Sequence, residues 1–236
     1  MTAINNNPAV RPHLALFLLT IVYAFNFIDR QILVILQEPI KQDMGLSDTQ
    51  LGLLSGFSFA LVYVFAGIPI AYLADRGNRR NIIAIALTVW SGMTAISGLA
   101  QNYTHLLLAR IGVGLGEAGG SPPSHSMISD YYAPEHRGKA MSFYSTGIYI
   151  GILFGFALGG ILADELGWRV AFFVVGIPGV LFAGVLMLLL KVFRSVYRYQ
   201  PCPRAATYAR HDISRAVFYS EYDWAGAWPL NHRLIE

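Results

Sequence analysis

The sequence predicts an all-α membrane protein with six transmembrane helices, and three observations lead to that fold class. First, the 236 residues are 55% hydrophobic and 13% charged, whereas a soluble domain carries about 25% charged residues. Second, apolar runs of about 20 residues recur, which is the length that spans a bilayer as a helix. Third, these runs lack the period-two alternation of membrane strands. The predicted helices cover residues 14–37, 50–73, 81–100, 105–130, 139–163 and 169–192.

The positions of lysine and arginine predict a cytoplasmic N-terminus. Basic residues concentrate on the cytoplasmic side of membrane proteins. Every second connection, together with the two ends of the helical region, holds nine such residues, while the opposite set holds two, Lys41 and Arg169. Residues 1–13 are therefore predicted to form a cytoplasmic tail. The nine residues are Arg11, Arg76, Arg79, Arg80, Arg137, Lys139, Lys191, Arg194 and Arg198.

Two pairs of charged residues interrupt the apolar runs. Asp29 and Arg30 lie near the middle of the first predicted helix, where one charge costs on the order of 3 kcal/mol. Arg110 and Glu117 are seven residues apart in the fourth predicted helix. That spacing puts them on one face, separated by about 10 Å along the axis. We expect the fold to bring the two pairs together.

Two interpretations of these four residues stay open. Ionisable groups inside a membrane commonly mark a substrate or proton pathway. Desolvation and a neighbouring arginine act in opposite directions on the proton affinity of a carboxyl group, so Asp29 and Glu117 suit proton coupling. Fixed ion pairs that hold two helices together are the alternative. Both interpretations hold together if the ion pair opens and closes, because it then acts as a gate.

The connection after the second predicted helix contains the most specific motif, Ala71-Tyr-Leu-Ala-Asp-Arg-Gly-Asn-Arg-Arg80. In it, Asp75 is followed by a tight turn and then by basic residues. We expect Arg79 or Arg80 to pair with Asp130 and to latch the cytoplasmic side. A basic cytoplasmic turn without a latch is the alternative. The predicted cytoplasmic gate consists of Asp75, Arg76, Arg79, Arg80, Asp130 and Arg137.

The sequence offers no support for an enzyme, a cofactor or a nucleic-acid partner. Residues 114–119 match the dinucleotide fingerprint, but they lie in an apolar helix instead of following a strand. Glycines four residues apart in the fourth and fifth predicted helices indicate close helix packing instead. No metal-ligand spacing, catalytic triad or phosphate-binding loop occurs, and Cys202 is the single cysteine. No basic run with interleaved aromatic residues is present.

Residues 193–236 differ in character from the rest of the chain. From residue 194 the segment holds six arginines, no lysine and the single cysteine, and it contains no long apolar run. Two interpretations stay open for this cytoplasmic tail. It is either a disordered or surface-lying segment, or the product of a frameshift or truncation in a longer gene.

Several of these motifs together resemble those of the major facilitator superfamily. The resemblance extends over about residues 13–192. The general family motifs are matched by Asp75-Arg76, Arg79-Arg80, Arg110, Arg137-Gly-Lys-Ala140 and Gly167-Trp-Arg-Val-Ala-Phe172. Ala71 and Gly77-Asn78 depart from the general pattern, and asparagine also tolerates the left-handed turn conformation. The spinster branch is indicated by Asn78, Phe27-Ile-Asp-Arg-Gln31 and Gly116-Glu-Ala-Gly-Gly120.

The resemblance implies one half of a twelve-helix transporter, with its six helices arranged as two inverted three-helix repeats. Spinster-like proteins export lysolipids and sphingoid lipids, with proton coupling suggested. By that resemblance Asp29 and Glu117 would respond to protons, with Arg30 and Arg110 as their partners. In a second branch, the anion:cation symporters that carry sugar acids, cavity arginines would hold a substrate carboxylate. A bacterial inner membrane is the expected location, and the bilayer, a small solute and protons are the expected partners.

A single half cannot enclose a solute on its own. A homodimer, or a separate C-terminal half, would have to complete the cavity. The alternative is a non-transporting remnant or partner-binding membrane protein.

Overall fold

The computed structural model describes residues 12–190, and all of the regular structure within that stretch is helical. The tail of residues 193–236 and nearly all of the tail of residues 1–13 lie outside the described residues. Helix α2 continues through one π-helical stretch, Leu53–Phe57, into α3. The helices are α1 (Pro12–Met44), α2 (Asp48–Gly52), α3 (Ser58–Arg76), α4 (Arg79–Ser97), α5 (Tyr103–Glu117), α6 (Ser121–Tyr131) and α7 (Pro134–Leu189).

In the described part of the chain each of the six predicted ranges is mostly helical, but not all are separate apolar helices. Among the described residues, three helical stretches are long and apolar enough to cross a membrane by length and composition. They are Pro12–Met44, Asp48–Ala74 and Pro134–Leu189. The all-helical class is therefore confirmed, while the number of six spans stays a prediction.

Three predicted helices differ from the structure in their continuity. The fourth is divided into α5 and α6 by a turn at residues 118–120, after which Pro122 and Pro123 occupy the first turn of α6. Proline is tolerated in that position because the first helical N–H groups have no partner within the helix. The fifth and sixth are joined in α7, which bends where Gly167 adopts φ 79° and ψ 161°. The arms of α7 are residues 134–166 and 168–189.

The first arm of α7 packs closely against α1 through glycines spaced four residues apart. A Cβ atom added to Gly147 would lie 2.7 Å from the carbonyl oxygen of Thr20, and one added to Gly155 would lie 2.7 Å from Cβ of Gln31. The close packing predicted from the glycine spacing is confirmed. Because lipid tails are as apolar as the side chains, such close contact is a main source of helix association in a membrane.

Helix α4 lies between α5 and the second arm of α7. A Cβ atom on Gly116 of α5 would lie 2.6 Å from the backbone nitrogen of Trp90, and one on Gly176 of α7 would lie 2.6 Å from that of Ala95. Trp90 itself is fully buried. Glycine thus lets both neighbours approach the backbone of α4, which fixes the side chains of this helix against the charged residues of α1 and α5.

Candidate functional site

The four charged residues predicted inside the apolar helices come together between α1 and α5. Asp29 and Glu117 are 0% exposed and Arg110 is 2% exposed. Arg30 is more open, with 32% of its side chain exposed. The predicted meeting of the two pairs is therefore observed, with three of the four residues shielded from the surface of the chain.

The ion pair runs between the two helices. Nε of Arg30 lies 2.7 Å from Oε2 of Glu117. Three aromatic rings surround the same guanidinium group, with ring centroids 4.9–5.4 Å from its central carbon. Such distances allow cation–π attraction. The rings belong to Phe27, Phe59 and Tyr63.

Asp29 and Arg110 form a second pair that is buried more deeply, and no hydrogen bond joins their side chains. Both carboxylate oxygens of Asp29 lack a hydrogen-bond partner among the described residues, as do Nε and Nη1 of Arg110. Arg110 and Glu117 are the charged neighbours of Asp29. An unpartnered polar group in a dry interior is costly. This arrangement is therefore suited to change when a proton or another ligand arrives.

Several polar and aromatic residues of the site were missed from the sequence. Asn26 is 4% exposed and lies beside Glu117. Trp90 and Thr94 of α4 lie beside the Asp29 carboxylate. Asn26 could have been found, since it lies one helical turn before Arg30 in the same apolar run. Tryptophan and threonine are ordinary in apolar helices, so nothing in the sequence distinguished Trp90 and Thr94.

The residues of the predicted cytoplasmic gate form a second group of contacts. Arg79, in the first turn of α4, forms an ion pair with Asp130 of α6. Nε of Arg137 donates to the carbonyl oxygens of Ser129 and Tyr132, each at 3.1 Å. Of the two arginines expected to reach Asp130, the structure thus selects Arg79, and Arg137 binds the backbone around the end of α6.

The remaining predicted gate residues have other surroundings. Nη1 of Arg80 lies 3.4 Å from the carbonyl oxygen of Leu190, beside the end of α7. The guanidinium carbon of Arg76 lies 4.1 Å from the ring centroid of Tyr72. The side chain of Asp75 is not among those described. These contacts tie the ends of α4, α6 and α7 together, and their role as a gate stays a prediction.

Comparison with known proteins agrees with this geometry. Residues 19–214 match the Major Facilitator Superfamily. The chain is 37% identical over 182 residues to an MFS-type efflux pump of Mycolicibacterium smegmatis, covering 77% of this chain and 42% of the pump. It is 32% identical over 169 residues to a probable L-galactonate transporter of Escherichia coli K12, covering 72% of this chain and 37% of that transporter.

The fold agrees as well. One solved structure, a bacterial homologue of the human lysosomal transporter spinster in an inward-facing and occupied conformation, superposes with a TM-score of 0.74. Sequence identity is 40%, and the match covers 78% of this chain and 45% of that one. The chain thus belongs to the Major Facilitator Superfamily, whose members are integral membrane transporters. Within it the chain falls in the spinster-like branch. It spans less than half the length of each of these three proteins.

Proposed function

We propose that this chain forms the N-terminal half of a proton-coupled secondary transporter, with six transmembrane helices in two inverted three-helix repeats. The proposed solute is amphipathic and lipid-like, or an organic anion. The observation that carries the proposal is the buried charged cluster, in which Arg30 pairs with Glu117. Asp29 lies beside Arg110 and Glu117, and its carboxylate oxygens have no hydrogen bond of ordinary geometry within the part of the chain that the structure describes. Groups of this kind are expensive inside a membrane, which favours a functional role over a packing role.

The arrangement supports a simple coupling step. A proton on Glu117 would neutralise the partner of Arg30 and weaken their ion pair. The guanidinium group of Arg30 would then be available to an anionic group of the solute, because its side chain is the one of the four that is open on one side. Asp29 would supply the second protonation site, with Arg110 as its counter-charge.

Transport into sealed vesicles under a pH gradient tests the proton role. The test compares the chain with the double variant Asp29→Asn, Glu117→Gln, which keeps the shapes and removes both titrating groups. We expect dependence on the pH gradient to disappear in the double variant. Asp48→Asn is the matched control, because Asp48 is an acid that is 85% exposed outside the cluster. Proton-driven transport that continues unchanged in the double variant contradicts the proposal.

A sugar acid is the second candidate solute, and the likeness to the probable L-galactonate transporter favours it. Here Arg30 and Arg110 would hold the substrate carboxylate. Competition separates the two solutes: the chain in nanodiscs is titrated with L-galactonate and with a lysophospholipid against one labelled probe. Displacement by L-galactonate alone, lost in Arg30→Gln, supports the sugar acid. Displacement by the lysophospholipid alone supports the lipid-like solute.

A non-transporting, partner-binding membrane protein is the alternative function. It is favoured by large apolar side chains exposed on the first arm of α7, such as Tyr149 and Leu153. A second copy or a separate C-terminal half would cover such side chains. Measuring the mass of the purified chain in nanodiscs tests self-association. A dimer that shows solute binding supports a shared cavity, whereas a monomer without solute binding supports the alternative.

The cytoplasmic contacts are proposed as a gate that holds one conformation of the transporter. Arg79 with Asp130, and Arg137 with the end of α6, would have to separate when that side opens. The proposed orientation places these residues and the N-terminus in the cytoplasm of a bacterium, on the inner side of its plasma membrane.

A further inference from the structure

Helix α4 carries four hydroxyl side chains, and the hydrogen bonding of the middle two differs from that of the outer two. Thr88 donates to the carbonyl oxygen of Ala84 at 2.8 Å, and Ser97 donates to that of Met93 at 3.0 Å. Such back-bonding is the usual way for a helix to satisfy a hydroxyl group that water does not reach. Ser91 and Thr94 are both 0% exposed, and neither hydroxyl has a hydrogen-bond partner among the described residues.

The two exceptions face different neighbours. Thr94 lies one turn after Trp90, and both lie beside the Asp29 carboxylate. The indole Nε1 of Trp90 also lacks a partner among the described residues. Ser91 instead faces the second arm of α7, where its hydroxyl group is the closest contact of a Cβ atom placed on Gly179. Two buried polar groups thus lie close enough to act on the Asp29 carboxyl group, but neither they nor its oxygens form a hydrogen bond of ordinary geometry among the described residues.

Buried polar atoms in native proteins are nearly always satisfied, so a cluster of exceptions calls for a physical account. The charged groups facing Asp29 are Arg110 and Glu117, both from α5. Helix α4 carries charge at Arg79 and Arg80, in its first turn. The polar groups that α4 offers to Asp29 are therefore the neutral ones of Trp90 and Thr94.

We propose that Trp90 and Thr94 are positioning residues for the Asp29 carboxyl group and follow its protonation. An indole N–H only donates, whereas a hydroxyl group both donates and accepts. The ionised carboxylate would accept from Nε1 of Trp90 and from Oγ1 of Thr94. After proton uptake the carboxyl O–H would donate to Oγ1 of Thr94, whose own hydrogen turns away. Trp90 thus stabilises only the ionised form of Asp29, whereas Thr94 can form a hydrogen bond with both the ionised and the protonated form.

This inference rests on the proposed titration of Asp29, and the test must separate the two. Infrared difference spectra of the whole chain in nanodiscs, recorded across a pH titration, report the carbonyl stretch of protonated carboxyl groups. The signal removed by Asp29→Asn belongs to Asp29. Absence of any such signal overturns the proton role of Asp29, and this inference with it.

If the Asp29 signal is present, variants of α4 test the positioning role. Thr94→Val keeps the shape and removes the hydroxyl group. The midpoint of the Asp29 signal should move to higher pH by about one unit, because the hydrogen bond lost by the ionised carboxylate is stronger than the one lost by the neutral acid. Thr94→Ser should restore the midpoint. Trp90→Phe should move it in the same direction as Thr94→Val.

Ser91→Ala is the matched control. It removes an equally buried and equally unpartnered hydroxyl group from the same helix, but on the side that faces α7. In the Ser91→Ala variant, the pH midpoint of the Asp29 signal should equal that of the parent chain. A Thr94→Val midpoint that equals the parent value, or one that moves no further than the Ser91→Ala midpoint, overturns the positioning role while leaving the titration of Asp29 intact.

Discussion

At the scale of single residues, the sequence identified which charges matter but not how they pair. Neighbours along the chain, Asp29 with Arg30 and Arg110 with Glu117, were visible as charged pairs in apolar runs. The observed ion pair instead joins Arg30 of α1 to Glu117 of α5. Partner choice depends on the rotation of each helix about its axis and on its axial offset, which residue spacing within one helix cannot give. Trp90 and Thr94 were missed for the same reason, because their role depends on which helix they face.

The ion pair gives a direct prediction about stability. Arg30→Ala leaves the carboxylate of Glu117, which is 0% exposed, without its partner. We expect a loss of stability on the order of 3 kcal/mol, since breaking a buried pair leaves an uncompensated charge. The loss is measured as a decrease in the thermal unfolding midpoint of the chain in detergent.

The matched control for that experiment is the double variant Arg30→Ala, Glu117→Gln. Removing the stranded charge should recover most of the lost stability, although the amide introduced at position 117 still needs hydrogen bonds. A double variant that is no more stable than Arg30→Ala would mean that the aromatic packing around Arg30, and not its charge, carries the effect.

At the scale of helices, the sequence predicted where the helices lie better than where they end. The apolar runs located the helical ranges, whereas the turn at residues 118–120 divides the range predicted as the fourth helix. The sequence predicts separate helices over residues 139–163 and 169–192, with a short connection between them. The structure keeps helical conformation on both sides and places the whole bend at Gly167. A single glycine with positive φ can turn a chain without a loop, and composition alone does not separate the two cases.

The contact between α1 and α7 predicts that two glycines of the same arm differ strongly in the stability lost when each is replaced by alanine. Gly151→Ala would place its Cβ 2.5 Å from the carbonyl oxygen of Ala24 and 2.6 Å from Cβ of Phe27. The helices must move apart, and overpacking of this kind costs about 1–3 kcal/mol. Gly160→Ala has nothing within 4 Å of its Cβ and should be neutral or stabilising, since alanine favours helix. Thermal midpoints of the two variants, measured side by side, check the difference. Equal midpoints would show that α1 and α7 do not touch along this face.

The bend in α7 gives a second prediction at this scale. Gly167→Ala meets no atom within 4 Å, so any loss of stability comes from the backbone, which has φ +79°. We expect a loss of about 1–2 kcal/mol, the cost of a left-handed conformation for a residue with a Cβ atom. Gly184→Ala, which also meets nothing within 4 Å and has no positive φ, is the control and should lose none. If both variants keep the parent midpoint, the bend is not located at Gly167 in solution.

At the scale of the whole molecule, charge asymmetry along the chain bears on orientation in the membrane. The connection between α1 and α2 is held together locally, with Lys41 2.5 Å from Asp48, and the other basic residue on that side, Arg169, lies 2.7 Å from Asp43. Both basic residues on this side are therefore neutralised by acids. On the opposite side, Arg76 and Arg80 contact an aromatic ring and carbonyl oxygens. The proposed orientation therefore rests on the residue count of nine basic residues against two, because acidic residues contribute little to the positive-inside rule.

The single cysteine allows that orientation to be tested without adding a label site. Cys202 follows α7, so the proposed topology places it in the cytoplasm, on the same side as the N-terminus. A maleimide that does not cross membranes should label Cys202 in inverted vesicles and leave it unlabelled in intact spheroplasts. The variant Cys202→Ser, Asp48→Cys moves the thiol to an exposed position between α1 and α2 and should give the opposite pattern. Labelling of Cys202 in intact spheroplasts, with Asp48→Cys protected there, would reverse the orientation and place the Arg79–Asp130 contact outside the cell. Equal labelling of both thiols in spheroplasts would contradict an odd number of membrane crossings between residues 48 and 202, and with it the predicted set of six helices.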